Sequence, residues 1–404
     1  MRIIFVQDSN PFYNNSAYGN RYAGIIEGLI KCGIQVSLLI IGGYNNKKEK
    51  ENDGYPISYI DKQLLEVSYT LKLDNSNKWI KRAKIYFFNK ILLIANSILL
   101  KSYFKQRCDF CFWGNNAASL YLYNKYFEAN SVCSVMEINE FDDIFYNKKL
   151  NRFQYRASVF YKSEFDKAIR NIDCFAFMTK ALMDYYGPKV KNDARLLHLP
   201  MTVDLKRFNN CTADSQYSKP YIAYTGSFSN AKDGIDVLLK AFAIISKKYE
   251  SITLYLAGFY HPDVLEQQRY VRENQIEERV KYIGSLTKEQ IPAFICNADL
   301  LVLSRPDSHQ AQGGFPTKLG EYLATGNPVC VTKVGEIPDY LEDNVSAFMA
   351  TPGDVDSFAD AMDRALSNPD NAKKVGLAGR KVAEREFNSE IQAKRLYEFL
   401  QENL

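Results

Sequence analysis

Short apolar runs alternate with helical stretches along the whole of this 404-residue chain. Runs at 3–7, 221–225 and 300–304 are rich in aliphatic and aromatic residues, and each precedes a segment with helical periodicity. Such alternation predicts α/β units with parallel sheets. Because a chain of this length exceeds what one hydrophobic core usually supports, we expect two domains.

A polar, turn-rich segment without periodicity lies between about 204 and 219. Its sequence, KRFNNCTADSQYSKP, has the composition of a linker. We therefore predict domains at 1–204 and 219–385, followed by a C-terminal helical segment at 386–404.

The chain carries eight cysteines, scattered mostly within apolar runs, which favours buried reduced thiols over a disulfide framework. Cys108 and Cys111 form a CxxC pair without the second pair or nearby histidines that a zinc site needs, so we expect no metal. The chain starts with a short strand and no apolar signal core, which predicts a cytoplasmic location.

Residues 78–107 contain eight basic side chains and no acidic one. The apolar residues among them are interrupted by Asn89, Lys90 and Asn96, so a membrane span is not expected. Two interpretations stay open: a basic amphipathic helix on an anionic membrane surface, peripheral to the inner face, or a surface helix packed on its own domain. Nucleic acid is not an expected partner, because no recognised motif accompanies the charge.

The segment 313–335, GGFPTKLGEYLATGNPVCVTKVG, predicts the start of a helix whose first turn can bind phosphate. Pro316 fixes the entry, and residues 317–319 form a first turn whose amides have no helical partner. Such a turn attracts phosphate oxygens. Glu321 lies about 6 Å further along the helix, where its carboxylate can accept hydrogen bonds from a ribose. The alternative is an ordinary αβ unit with a well-made cap.

Two strand ends supply positive charge. The strand at 221–225 runs into Gly226 with Lys232 shortly after it, and the strand at 300–304 runs into Arg305. Ligands in open α/β sheets bind outside the carboxyl ends of strands, so these groups and the helix start are expected to meet at one diphosphate. A solvated lysine and a surface ion pair are the alternatives.

The N-terminal half offers weaker signals. Gly19, in the loop after the first strand, would let backbone amides face a ligand. Glu137 ends the strand at 131–137 and opens an acidic run that includes Asp142 and Asp143. One of these acids would act as a general base or orient a sugar hydroxyl; otherwise the run is a solvated loop.

Five blocks together resemble the retaining glycosyltransferases of family 4, a GT-B group. They are GFPTKLGEYLATGNPV (314–329), TGSFSNAKDG (225–234), LSRPDS (303–308), MEINEFDD (136–143) and LPMTVDLKRF (199–208). The resemblance implies an α/β GT-B fold, with two Rossmann-like parallel-sheet domains facing a central cleft. It further implies that domain 1–204 binds the acceptor, domain 219–385 binds the nucleotide sugar, and helix 386–404 crosses back.

Residue by residue, the resemblance assigns Glu321 to the ribose hydroxyls and Lys232 to the diphosphate. The chain departs from the family pattern at three positions. Gly313 stands where members carry a first glutamate that contacts the donor sugar, Ser227 where an arginine is common, and Glu137 where many have a histidine. We infer that Arg305 supplies the charge lost at Ser227.

The implied activity is transfer of a hexose from a UDP- or GDP-sugar to an acceptor hydroxyl with retention, in bacterial surface polysaccharide assembly. No cofactor or metal is expected, and the partners are the nucleotide sugar and a glycan or lipid-linked acceptor. The catalytic candidates are Lys232, Arg305 and Glu137. The donor-binding candidates are Gly19, Gly226, Ser227, Lys232, Arg305, Gly314, Phe315, Pro316, Thr317, Lys318, Leu319 and Glu321. Three alternatives remain: a nucleotide-sugar epimerase, a catalytically silent nucleotide-sugar-binding protein, and a membrane-surface adaptor.

Overall fold

The computed structural model describes residues 1–14, 16–41, 44, 46–56, 63–69, 108–126, 132–141, 152–209, 211 and 216–402. Its contacts divide the chain into two compact units. The first unit holds Met1–Pro200 and the residues from Glu390 onward, and the second unit holds Met201–Ser389. The basic segment 78–107, the acids Asp142 and Asp143, and parts of the expected linker lie outside the described residues.

The first unit is built on a seven-stranded sheet of order β3-β2-β1-β4-β5-β6-β7, in which every pairing is parallel. The strands are β1 (Arg2–Gln7), β2 (Gln35–Ile40), β3 (Leu65–Tyr69), β4 (Phe110–Trp113), β5 (Cys133–Ile138), β6 (Cys174–Phe177) and β7 (Arg195–His198). Its helices are α1 (Ala17–Lys31), α2 (Lys47–Glu51), α3 (Ala117–Tyr126), α4 (Arg152–Ala168) and α5 (Lys180–Tyr186), with 3-10 turns at Pro11–Tyr13 and Gly187–Lys189.

The core of the first unit forms around β1, whose residues Ile3 to Val6 are fully buried because helices cover both faces of a parallel sheet. The last helix of the chain (Ser389–Gln401) belongs to this core: its residues Ala393, Leu396 and Leu400 pack in one cluster with Phe5 and Leu29. Apolar residues at such three- and four-residue spacing form one helical face.

The second unit contains a six-stranded sheet of order β10-β9-β8-β11-β12-β13, again parallel throughout. The strands are β8 (Tyr221–Ser227), β9 (Thr253–Phe259), β10 (Val280–Gly284), β11 (Leu300–Leu303), β12 (Val329–Thr332) and β13 (Phe348–Ala350). Its helices are α6 (Asn230–Asp233), α7 (Ile235–Lys248), α8 (Val264–Glu273), α9 (Gln290–Cys296), α10 (His309–Gly313), α11 (Thr317–Thr325), α12 (Ile337–Tyr340), α13 (Val355–Ser367) and α14 (Pro369–Val382). The terminal helix, which belongs to the core of the first unit, is α15 (Ser389–Gln401). A 3-10 turn spans Leu205–Phe208, and a π-helical turn spans Ala383–Phe387.

The predicted α/β class with two parallel Rossmann-like sheets is confirmed. In the second unit, β8 lies beside β11, and both run in the same direction. The sequence order of the strands therefore reverses between them, which makes their carboxyl ends the topological switch point of the sheet.

The expectation of reduced cysteines is wrong for one pair. Cys211 and Cys296 form a disulfide within the second unit, although 85 positions separate them in the sequence. Cys296 ends α9, and Cys211 follows the 3-10 turn at Leu205–Phe208, which packs against α9. The other six cysteines are free thiols. None of the helices within the described ranges is long and apolar enough to cross a membrane.

Candidate functional site

The side chain of Lys318, at the start of α11, lies at the centre of a polar cluster in the second unit. Its ammonium is 2.9 Å from Oδ1 of Asp233 and donates to the Tyr224 hydroxyl at 3.1 Å. Tyr224 is fully buried, and its hydroxyl is also 2.9 Å from Oδ2 of Asp233. The lysine side chain itself is 17% exposed, so the cluster reaches the surface at this ammonium.

Gly226 gives the Lys318 ammonium its space. A Cβ added at Gly226 would lie 2.3 Å from Nζ of Lys318 and 2.5 Å from the Tyr224 hydroxyl. The residue also has a φ of +147°, a conformation that glycine adopts readily and that other residues rarely adopt. The half-buried Ser227 follows, and its carbonyl accepts a hydrogen bond from Tyr224 at 2.7 Å. The absence of a side chain at Gly226, at the end of β8, therefore leaves space for the Lys318 ammonium.

The two cations that the sequence places at strand ends act on this lysine. Burial lowers the pKa of Lys318, Asp233 opposes that change, and the charges of Lys232 and Arg305 lower the pKa further. Lys232 precedes Asp233, which pairs with Lys318, and Arg305 follows Ser304, whose hydroxyl donates to the Asp233 carbonyl. The three loops that carry these cations therefore meet at Asp233. The sequence predicts this meeting of the β8 end, the β11 end and the α11 start.

Hydrogen bonds to backbone carbonyls connect the loops that follow β8 and β11. Ser304, which follows β11, donates its hydroxyl within 3.1 Å of the carbonyls of Asp233 and Gly234. Gly234 has a φ of +67°, and a Cβ there would lie 2.0 Å from the Ser304 carbonyl oxygen. Arg305 is 5% exposed, and its Nη2 donates to the Gln310 carbonyl at 3.2 Å. The loops after β8 and β11 are thus fixed to each other.

The first turn of α11 supplies fewer amides than expected. The Leu319 amide donates to the Pro316 carbonyl at 3.0 Å, so it is already engaged within the turn. The amides of Thr317 and Lys318 remain as first-turn donors of a nine-residue helix. Such donors, beside three cations, are suited to phosphate oxygens.

Gly314 and Phe315, two predicted donor-binding residues that precede α11, both have structural roles. Gly314 follows α10 as its C-cap, and its amide donates to the Gln310 carbonyl at 3.0 Å. The Phe315 ring is 5% exposed and packs on Tyr340 and Phe387, with centroids 5.6 and 5.2 Å away. The side chain of Phe315 therefore belongs to the core, and only its backbone faces the helix start.

Glu321 is paired with a residue that the sequence did not indicate. Nη1 of Arg207 donates to Oε1 of Glu321 at 2.6 Å, and Nη2 of the same guanidinium donates to the Lys288 carbonyl at 3.1 Å. The side chains of Arg207 and Glu321 are 15% and 17% exposed. The expected ribose-binding carboxylate is thus present one turn into α11, and it is held by an arginine.

In the first unit, Glu137 forms a buried ion pair. Nη2 and Nε of Arg21 lie 2.5 and 2.6 Å from Oε1 of Glu137, and both side chains are almost fully buried. The same guanidinium donates to the carbonyls of Leu199 and Pro200 at 2.8 and 2.5 Å. The structure therefore gives Glu137 a clear structural partner, and its catalytic role stays a prediction.

Gly19 lies in the first turn of α1, after β1. Its amide donates to the Ser16 hydroxyl at 3.1 Å, which caps the helix. A Cβ at Gly19 would lie 2.1 Å from the Asn14 carbonyl oxygen. The glycine is required for this close approach, and its own amide is not available to a ligand as the sequence suggested.

Sequence reasoning missed four groups that shape these sites: the Lys318 ammonium, Asp233, Arg207 and Arg21. A signal existed for the first, since a lysine in the first turn of a helix at a strand end adds charge to the amides already considered. No cluster of metal-ligating side chains occurs in the part of the chain that the structure describes.

Comparison with known proteins finds a family match within the second unit and relatives that align with about half of the chain. Residues 219–368 match the family described as "Glycosyl transferases group 1". The amylovoran biosynthesis glycosyltransferase AmsK of Erwinia amylovora is 26% identical over 204 residues, 50% of this chain and 49% of that protein. A GDP-mannose-dependent alpha-(1-6)-phosphatidylinositol monomannoside mannosyltransferase of Mycolicibacterium smegmatis is 25% identical over 240 residues, 56% of this chain and 62% of that protein. The chain thus matches about half to three-fifths of the length of these relatives.

Solved structures resemble the whole chain at low sequence identity. Sucrose-phosphate synthase from Thermosynechococcus elongatus has a TM-score of 0.75 and 16% identity, with 100% of this chain and 99% of that one covered. HepE of Anabaena, in complex with UDP, has a TM-score of 0.69 and 16% identity, with both chains fully covered. The fold is therefore the GT-B fold that these solved structures share, and residues 219–368 are similar to the glycosyl transferases group 1 family.

Proposed function

We propose that the protein transfers a sugar from a UDP- or GDP-sugar to an acceptor hydroxyl with retention at the anomeric carbon. One observation carries the proposal: the loops that bear Lys232 and Arg305 are joined at Asp233, which pairs with Lys318 in the first turn of α11. These loops carry three cations and one buried carboxylate, Asp233, so positive charge is in excess. The negative charge of a nucleoside diphosphate would balance this excess.

The same cluster explains how the bond to the donor would break. Departure of a nucleoside diphosphate develops negative charge on its phosphate oxygens. Fixed cations and helix-start amides stabilise such charge without reorganising, which lowers the barrier. In the proposed mechanism Lys232, Arg305 and Lys318 would take the role that a divalent cation fills in other enzymes, so we expect no metal requirement. The second unit would accordingly bind the donor, and the first unit the acceptor.

The relatives support this choice of substrate class. One is named for GDP-mannose and a phosphatidylinositol glycolipid, another for biosynthesis of the polysaccharide amylovoran, and a protein of the same fold binds UDP. We therefore propose a role in surface polysaccharide or glycolipid assembly, with a glycan or lipid-linked acceptor. Contact of residues 78–107 with an anionic membrane, at its cytoplasmic face, remains a prediction about a segment outside the described residues.

A silent nucleotide-sugar-binding protein is the second candidate, because of Gly313. This residue ends α10 and brings no carboxylate to the donor sugar, unlike the glutamate of the resemblance. The neighbouring Gln312 is directed to Asp307, to which its amide donates at 2.6 Å. A transferase with this site must orient the sugar by other groups.

A panel of nucleotide sugars separates these functions. A ligand that binds only the native state raises the melting temperature, so thermal shift identifies the donor. Release of nucleoside diphosphate is then measured with and without an acceptor panel. The proposal predicts release that depends on an acceptor. Binding without release supports the silent protein, and interconversion of the donor sugar without an acceptor supports an epimerase.

A further inference from the structure

The ion pair between Arg207 and Glu321 lies at the proposed donor site and has no role in the mechanism proposed above. Arg207 lies in the 3-10 turn Leu205–Phe208, which contacts α11 and α9. Its guanidinium bridges Oε1 of Glu321, at 2.6 Å, and the Lys288 carbonyl, at 3.1 Å. One arginine thus links the 3-10 turn, the donor-site helix α11 and the segment that follows β10.

We propose that Arg207 is a positioning residue that orients the Glu321 carboxylate to receive the hydroxyls of a ribonucleotide. The inference rests on the proposed function, since it concerns the nucleotide part of the same donor. It makes the ribose, as distinct from deoxyribose, a recognised element of the substrate. It also assigns a role to a residue that does not itself touch the nucleotide.

The geometry of the pair suits this role. Arg207 engages only Oε1, and Oε2 of Glu321 accepts no hydrogen bond from any residue within the described ranges. A carboxylate has about four lone-pair positions on its two oxygens, so both oxygens can still accept from hydroxyl groups. Two adjacent ribose hydroxyls are two donors, which matches the acceptors that the arginine leaves open.

The guanidinium also limits the motion of the carboxylate. Its donors are fixed in a plane, and here two of them are directed to different acceptors. With both side chains largely buried, Glu321 is held in one orientation before any ligand arrives. A group that is already oriented loses less conformational entropy on binding, so affinity for the ribose increases.

The charge of the pair supports the same assignment. An unpaired Glu321 would place a negative charge one turn from the Lys232, Arg305 and Lys318 cluster and repel a diphosphate. Arg207 offsets that charge locally. The carboxylate can then serve as a hydrogen-bond acceptor close to an anionic ligand.

The test compares UDP and GDP with their 2′-deoxy counterparts by calorimetry, using the full chain. Variants are Arg207→Met, Arg207→Lys and Glu321→Gln, with Arg269→Met as control. Arg269 forms an exposed ion pair in the same unit, 3.9 Å from Glu273. We expect the wild type and the control to prefer the ribonucleotide by about tenfold or more, since a hydrogen bond to a charged group is lost in the deoxy form.

Arg207→Met is expected to bind the ribonucleotide about tenfold more weakly and the deoxynucleotide as the wild type does, so the preference largely disappears. A purely structural role for Arg207 would weaken both ligands equally. Unchanged preference, or tighter ribonucleotide binding, overturns the inference. If Arg207→Met does not fold, Arg207→Lys is tested in its place, because lysine keeps the positive charge and lacks the planar guanidinium that reaches two acceptors. The preference of this variant for the ribonucleotide over the deoxynucleotide is expected to lie between those of the wild type and Glu321→Gln. A preference equal to that of the wild type contradicts the inference.

The outcomes distinguish this inference from the proposed function. If the wild type binds neither UDP nor GDP, the proposed function fails. If Glu321→Gln loses the preference while both Arg207 variants keep it, the ribose assignment stands and the role of Arg207 is wrong.

Discussion

The Lys318 ammonium lies 2.9 Å from the Asp233 carboxylate, and Gly226 leaves just enough space for it. This pair joins the start of α11 to the loop after β8, so the two halves of the proposed phosphate site are fixed to each other. The carboxylate neutralises one of three cations. The remaining excess of positive charge is the property on which the proposed donor binding depends.

The affinity for UDP is predicted to fall as the pH rises, and to do so at a lower pH than if Lys318 had the pKa of an ordinary lysine. Burial, Lys232 and Arg305 lower the pKa of Lys318, while Asp233 acts in the opposite direction. The charged ammonium binds the anion better, so affinity decreases as the pH rises through this lowered pKa, and binding is accompanied by proton uptake there. An unperturbed lysine would stay charged to about pH 10.

Calorimetry in buffers with different ionisation enthalpies measures this uptake directly. The measurements belong above about pH 7.5, where the second ionisation of a phosphate, with a pKa of about 6, is complete. Lys318→Met serves as the comparison and should show no such uptake. An affinity for UDP that stays flat to pH 10 in the wild type would contradict the prediction.

Gly226→Ala is predicted to weaken both the fold and nucleotide binding. The new Cβ would lie 2.3 Å from the Lys318 ammonium, and φ is +147°. Strain of this kind costs about 1–3 kcal/mol, and displacement of the ammonium adds a loss of UDP affinity. Gly353→Ala is the matched control, since φ is +77° there and no atom lies within 4 Å of the added Cβ. Equal losses of UDP affinity in the two variants would show that space at Gly226 is irrelevant.

Glu137→Gln is predicted to destabilise the first unit by about 3–5 kcal/mol, because it leaves the buried guanidinium of Arg21 without its counter-charge. Denaturant unfolding provides the measurement. A variant that keeps the wild-type free energy of unfolding and loses turnover would instead favour the catalytic role inferred from the sequence.

The disulfide predicts a thiol count. With Cys211 and Cys296 bonded and six cysteines free, protein denatured without reductant should react with six equivalents of a thiol reagent. After reduction, all eight cysteines should react. Eight reactive thiols before reduction would show that the bond is absent in the isolated protein.

The sequence predicted the second unit well because its signals are local. Apolar runs marked β8 and β11, and the expected order of parallel strands brought Lys232, Arg305 and Thr317 to one edge. The short strand β13 (Phe348–Ala350) was missed, since three residues carry too little periodicity. In the first unit, β3 escaped notice within a polar stretch.

Contacts between distant residues could not be predicted in the same way. Arg207 and Glu321 are 114 positions apart, and Arg21 and Glu137 are 116 apart. Neither arginine lies in a pattern that names its partner, because each pair forms only when helices and turns pack. The disulfide between Cys211 and Cys296 has the same origin.

Calorimetric titration of the wild type and Lys232→Ala with UDP and GDP tests the central claim most directly, with Lys240→Ala as the control. Lys240 lies on α7 in an exposed pair, 3.7 Å from Asp236. The account predicts that the wild type and the control bind at least one of the two nucleotides, and that Lys232→Ala binds it about tenfold to a hundredfold more weakly. Absence of binding to the wild type, or equal affinity in all three proteins, would contradict it.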